Sequence, residues 1–238
     1  MRVTVLGCGT STGVPIVGCT CAVCTSTNPK NKRLRCSVLV ETRGQRLLID
    51  TGPDLRQQAL THNIATVDAI LYTHAHADHL HGIDEVRTFN INRQGPIDAY
   101  ADRTTLWHLE TRFGYCLHGQ GHRPGHGWWR PSLTPHLIDG PFTAAGIDII
   151  PFRQGHGRSH TQGFRINNFA YSPDVDTLPE ESLALLHGLD LWIVDALRDR
   201  PHVSHSHLER TLHWIDHLRP KRALLTHMNH EVDHTTWA

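Results

Sequence analysis

The chain has 238 residues, balances 23 Lys plus Arg against 23 Asp plus Glu, and is 39% hydrophobic. That length suits one large α/β domain, with two small ones as the alternative, and the apolar content is enough for a core. Zero formal net charge argues against nucleic acid or a membrane surface as partner, no apolar run reaches the roughly 20 residues of a membrane span, and the N-terminal apolar stretch is too short for a secretion signal, so a cytoplasmic location is expected.

Short β-like runs open the chain. Arg2 to Gly7, Cys36 to Thr42 and Gln45 to Asp50 predict a meander, with Thr42-Arg43-Gly44 turning its second hairpin. Asp54 starts a short helix after Gly52-Pro53. Val67 to His74 reads as a buried strand, Ala77 to Phe89 as a helix and Ile97 to Asp102 as a strand. Arg103 to Tyr115 is helical, with Leu106, Leu109 and Phe113 on one face. From Gly114 to Pro131 the pattern gives way to Gly, His and aromatic residues, an irregular insertion that would serve as a lid, a dimer contact or a substrate clamp, with Trp128 and Trp129 in the core as the plainer alternative. Strands resume over 133–139, 147–154 and 163–172. Pro179 to Gly188 is a helix, Leu189 to Leu197 a buried strand, Ser206 to Leu218 an amphipathic helix with Leu208, Leu212 and Ile215 on one face, and Arg222 to His227 the last strand. Strands and helices in both halves predict an αββα sandwich in a single domain over residues 1–238.

Histidine is in excess at 21 residues. Four of them, with an aspartate, crowd into "HAHADHLH" at a predicted strand end: His74, His76, Asp78, His79 and His81. Metal ligands must present lone pairs, and these residue types do. A spacing of two in extended chain sends His74 and His76 to one side, and Asp78 and His79 follow at the opening of a helix. Such a turn could aim two pairs of ligands at two adjacent ions. Ions about 3.5–4 Å apart bind phosphoryl oxygens and supply hydroxide near neutral pH, which is hydrolase chemistry. Separately, Cys19, Cys21 and Cys24 are too close in sequence to bridge one another easily and present three thiolates, one ligand short of a closed tetrahedral zinc site. The glycine-rich "GCGTSTG" (Gly7 to Gly13) lacks the Lys-Ser/Thr ending of a phosphate loop; its glycines are expected to let the backbone pass close to the metal site.

"THAHADH" (Thr73 to His79) resembles the signature of the metallo-β-lactamase superfamily, and the resemblance runs along almost the whole chain. "LLIDTG" (Leu47 to Gly52), "QGHG" (Gln154 to Gly157), "AYSPDV" (Ala170 to Val175) and "LLTHMNH" (Leu224 to His230) look like its other motifs. The resemblance implies that one ion takes His74, His76 and His156, that the other takes Asp78, His79 and His227, and that Asp174 bridges them. Asp50 would support the ligands from behind, and Asp78 would belong to the catalytic machinery. Within the superfamily, "GTSTGVPIVGCTCAVC" (Gly9 to Cys24), "SHSHL" (Ser204 to Leu208) and the second histidine after His227 resemble the PhnP family of cyclic phosphodiesterases. That narrower resemblance implies a structural zinc on Cys19, Cys21, Cys24 and His230. It also makes His205 a residue that contacts phosphate or protonates the leaving oxygen, and it suggests a homodimer.

The reaction so implied is hydrolysis of a small cyclic phosphodiester by two divalent ions, zinc or manganese, with iron a third candidate. Two other enzyme readings share these motifs: a protein of pyrroloquinoline quinone biosynthesis and a transfer-RNA 3′-processing nuclease, the second weakened by the neutral charge. A non-catalytic metal sensor would show missing ligands, and all seven positions are filled. His81, His160 and His202 lie near site motifs, which leaves contact with substrate open.

Overall fold

The computed structural model describes residues 1–117 and 122–237. Among them the strands are β1 (Arg2–Gly7), β2 (Ser37–Thr42), β3 (Gln45–Ile49), β4 (Ala69–Leu71), β5 (Ile97–Ala101), β6 (His122–Arg123), β7 (Gly127–Trp128), β8 (Leu133–Leu137), β9 (Phe142–Ala144), β10 (Ile147–His156), β11 (Ser159–Ile166), β12 (Phe169–Ser172), β13 (Leu191–Asp195) and β14 (Ala223–Thr226). They form two six-stranded mixed sheets and one small hairpin. No helix of the described residues is long and apolar enough to cross a membrane.

The first sheet runs β1-β2-β3-β4-β5-β8. β2 and β3 pair as the predicted hairpin, with Arg43 and Gly44 both at positive φ, as a two-residue turn between twisted strands requires. β3, β4, β5 and β8 are mutually parallel. All three residues of β4 are buried, the pattern of a parallel strand covered on both faces. The second sheet runs β14-β13-β12-β11-β10-β9. β10, β11 and β12 alternate in direction, and β12, β13 and β14 are parallel. Two reversals return β10 to the direction of β12, so the carboxyl ends of β10, β12, β13 and β14 share one edge of this sheet.

The chain divides into two compact units, one of Met1–Leu6 with Ser37–Asp148 and one of Gly7–Cys36 with Ile149–Ala238. The core of the first gathers Leu48, Ile70, Tyr72, Leu80, Phe89 and Leu109. The core of the second gathers Phe152, Ala170, Trp192, Val194 and Trp214. Fully burying a Leu, Ile, Val or Phe side chain contributes about 1.5–3 kcal/mol. Trp192 also donates its indole N–H to Ser172 Oγ at 2.9 Å, so its one polar atom is satisfied.

Several elements depart from the sequence-based expectation. The helix expected over 77–89 is broken into Ala77–Leu80, a 3-10 turn at Ile83–Glu85 and Val86–Arg93. Gly82 explains the break: its N–H donates to Thr51 O at 2.8 Å, and a Cβ there would lie 2.0 Å from Gly52 O. The strand expected over 163–172 is two strands, β11 and β12, turned at Asn167 with φ 52, a conformation Asn tolerates. β9 was not anticipated. In the helix Leu208–Leu218 the buried residues are Thr211, Trp214 and Leu218, while Leu212 is exposed; the bulk of Trp214 turns the buried stripe away from Leu212. The stretch 114–131 is less irregular than expected, holding a 3-10 turn at Gly114–Cys116 and the hairpin of β6 and β7. Residues 118–121 of that stretch lie outside the described residues. Trp129 is not core: it is exposed, with Arg123 and Arg130 guanidinium groups 4.2 and 4.5 Å from its ring.

Candidate metal centre

Asp50 follows β3 directly and Thr73–His74 follow β4, so the parallel pairing sets them side by side. Asp50 is fully buried in the left-handed region at φ 67. Its Oδ1 accepts the Thr73 N–H at 2.8 Å. Its Oδ2 accepts the Thr73 hydroxyl at 2.8 Å and His79 Nδ1–H at 2.7 Å. Burial pushes the Asp50 carboxyl pKa up, and its contacts with His79 and Thr73 pull it back.

These contacts dictate tautomers. A carboxylate only accepts, so His79 carries its proton on Nδ1 and its lone pair on Nε2. Thr73 spends its hydroxyl proton on Asp50 and therefore accepts from His74 Nδ1–H, at 3.0 Å, leaving the His74 lone pair on Nε2 as well. His74 sits beside both His76 and His79, with ring centroids 4.5 and 4.4 Å apart. Asp78 Oδ2 lies 3.3 Å from His79 Nε2, an acceptor facing a lone pair. Arg112, which sequence reasoning did not single out, donates to the carbonyl of Ala75 at 2.9 Å and holds the loop between His74 and His76. His81 packs instead against Phe113.

The second unit carries the other candidates on its shared strand edge. His156 ends β10, and its Nδ1–H donates to Ser204 O at 2.6 Å, which again leaves the lone pair on Nε2. Gly155 admits no side chain, because a Cβ would meet Thr177 Oγ1 at 2.0 Å. Asp174 lies two residues past β12 and His227 one past β14, both in the left-handed region at φ 49 and 59. Backbone held in that region by non-glycine residues is concentrated at functional sites. Three imidazole nitrogens point toward Asp174 Oδ2: His227 Nε2 at 3.3 Å, His205 Nε2 at 3.9 Å and His156 Nε2 at 4.0 Å.

His205 is 9% exposed and its ring stacks on His227 at 4.5 Å. Its Nδ1–H donates to Asp195 Oδ2 at 2.8 Å, an oxygen that also accepts the Val175 N–H at 3.0 Å. Asp195 is a candidate that sequence reading passed over as part of a buried strand. The signal was there, since "WIVD" repeats the apolar-run-plus-aspartate pattern of "LLID". His207, two residues on from His205, faces Glu209 at 3.9 Å instead. Burial, together with the neighbouring His205 and Arg198, holds the His202 pKa below its ordinary value.

The donor sets fit divalent cations. Where Nδ1–H is committed to an acceptor, as in His79 and His156, the Nε2 lone pair faces a carboxylate oxygen. Two acceptors cannot share a hydrogen bond, and a cation satisfies both. The cysteine group fits a softer ion. Ligand atoms of Cys19, Cys21 and His230 lie within 4.8 Å of one another, and His230 Nδ1 is buried with no hydrogen-bond partner. Cys24 lies outside that group and borders it, its N–H donating to Cys21 Sγ at 3.4 Å. That hydrogen bond lowers the Cys21 pKa, while burial raises that of Cys24. The N-terminal loop is tied to the exit of β14: Thr10 N–H donates to Met228 O at 3.1 Å, and buried Arg33 donates to Asn229 O at 3.2 Å and to Val232 O at 2.7 Å.

A family model described as a beta-lactamase superfamily domain matches residues 45–228. The chain belongs to this superfamily. The superfamily is one of metal-dependent hydrolases, and its fold of mixed sheets and helices is the fold of this chain. A solved diphosphatase from the PhnP family is 38% identical, with a TM-score of 0.90 over 99% of this chain and 89% of its own. It bears out the narrower resemblance. Zinc-bound PqqB from Methylobacterium extorquens, 17% identical with a TM-score of 0.78 over 97% of this chain and 90% of its own, shares the superfamily fold. A curated octanoyltransferase from Porphyromonas gingivalis (strain ATCC BAA-308 / W83) is 37% identical over 98% of this chain, which spans 46% of that protein's length.

Proposed function

We propose that the chain is a dinuclear metal-dependent phosphodiesterase acting on a small, cyclic phosphodiester. The observation that carries this reading is the set of imidazole nitrogens directed at Asp174 Oδ2, at 3.3, 3.9 and 4.0 Å. The PhnP-family likeness at 38% identity supports the phosphorus chemistry. One ion is assigned to His74, His76 and His156, the other to Asp78, His79 and His227, and Asp174 serves both. Two divalent ions, zinc or manganese with iron a third candidate, would neutralise phosphoryl oxygens and supply hydroxide near neutral pH.

The chain's own groups do the rest. Asp50 holds the tautomers of His74 and His79, so that both present Nε2. Asp195 accepts the Nδ1–H of His205, which, carrying a second proton on Nε2, would give that proton to the departing alkoxide as the phosphorus–oxygen bond breaks. A second reading, cleavage of a phosphoanhydride, is favoured by the diphosphatase description of the PhnP-family relative. A turnover panel of cyclic phosphodiesters, linear phosphodiesters and diphosphates, run on protein loaded with defined metals, separates the two. Fastest turnover is expected on a cyclic phosphodiester. Turnover of diphosphates alone would replace this reading with the second, and turnover of neither would remove both.

A structural zinc on Cys19, Cys21, Cys24 and His230 completes the proposal. Cys21→Ser should lose this ion and lower the thermal midpoint, because closed zinc sites contribute folding energy directly. Activity at low temperature should fall less than stability. Zinc content and thermal midpoint, with and without chelator, are the measurements. An unchanged midpoint with no zinc bound to the wild-type cysteines would end the assignment.

A further inference from the structure

We propose that His202 is a further substrate-binding residue, a neutral imidazole whose Nε2–H donates to a non-bridging oxygen of the anionic phosphoryl group. The proposal rests on the phosphoester reading given above. His202 Nδ1 lies 3.3 Å from the Ser204 backbone N and 3.4 Å from Ser204 Oγ. A backbone N–H can only donate, so Nδ1 holds the lone pair and the neutral ring carries its proton on Nε2. Among the described residues the hydrogen bonds of the His202 ring are those at Nδ1, and the ring is half-buried. The ring centroid is 5.3 Å from that of His205.

The two neighbours therefore hold opposite tautomers. His205 commits Nδ1–H to Asp195 and keeps Nε2 for proton transfer. His202 commits its Nδ1 lone pair to the backbone and presents a donor that it keeps throughout the reaction. A fixed donor beside a proton-transfer group suits a non-bridging phosphoryl oxygen, which bears charge and never leaves. The same geometry argues against His202 as a metal ligand, since its lone pair is already occupied. It also raises a rival role. The His202–Ser204 contact shapes the turn whose Ser204 carbonyl holds His156, so the test must separate binding from turn formation.

His202→Asn does this. An Asn side-chain oxygen accepts the N–H two residues on, as in an Asx turn, but it removes the ring donor. His202→Ala removes both. The metal-loaded protein should retain its full metal content in His202→Asn. Its KM for a phosphodiester and its calorimetric Kd for inorganic phosphate should both rise by about tenfold to a hundredfold, the worth of one hydrogen bond to a charged group. Its kcat should change little, the reverse of the pattern for a general acid. Unchanged KM and phosphate affinity in His202→Asn would overturn the proposal and reduce His202 to a turn former, whatever His202→Ala does. Loss of metal from His202→Asn would overturn it equally. Should the wild-type protein hydrolyse no phosphodiester, the function above fails on its own, while the phosphate titration still decides His202.

Discussion

His205→Ala should keep the wild-type metal content and lose about 10²–10⁴-fold in kcat, the usual contribution of a general acid or base. His205 is buried, faces Asp174 at 3.9 Å and is backed by Asp195 at 2.8 Å, so its Nε2 is held in one place. The loss should depend on the leaving group. A nitrophenyl ester departs without needing a proton, and the deficit should shrink there; an alkyl ester should show it in full. Equal losses on both esters would make His205 a phosphate-binding residue. Asp195→Asn should reproduce part of the kcat deficit with metal content intact, because it removes the carboxylate that fixes the His205 tautomer. His207→Ala, which leaves that arrangement untouched, is the control. Near-wild-type turnover of His205→Ala on both esters would end its assignment to catalysis.

Asp174→Asn should lower metal affinity at the proposed dinuclear centre by at least about 100-fold, beyond the 10–100-fold range of residues that only support ligands. The isosteric change preserves the backbone, since Asn tolerates the left-handed φ of 49 found there. What changes is the chemistry. An amide in place of the carboxylate removes a negative charge and offers an N–H₂ donor to the Nε2 lone pair of His156. That nitrogen can then be satisfied without a cation. Turnover should fall with the metal, and the zinc proposed at the cysteines should remain. Chelator competition, read as ions per chain, measures the first effect. Wild-type stoichiometry together with wild-type turnover would remove Asp174 from the centre.

Much of the candidate site is legible in the chain because metal chemistry restricts residue type and spacing. "HAHADH" and "CTCAVC" carry their candidate ligands within a few residues, and no helix face or solvated loop calls for those patterns. Residues recruited from a distance are less legible. Asp195 looks like one more member of a buried strand, and Arg112 like an exposed helical cation, until Asp195 is found against His205 and Arg112 against the Ala75 carbonyl. The break at Gly82 was hidden for a similar reason. Local periodicity favours a continuous helix there, and only the approach of the Gly52 carbonyl forbids it.

The sequence by itself determined the alternation of strands and helices, the turn at Arg43-Gly44 and the identity of the groups able to bind metal. These depend on interactions within a few residues, such as apolar period, turn chemistry and ligand type. The tertiary structure alone decided which nitrogen of each histidine keeps its lone pair. His79 is set by Asp50, from 29 residues earlier. His156 is set by the carbonyl of Ser204, from 48 residues later. His205 and His202 are the same residue type three positions apart, yet one donates Nδ1–H to a carboxylate and the other accepts a backbone N–H at Nδ1. A neutral imidazole has two nearly equivalent tautomers, so the partner that the fold places beside it makes the choice.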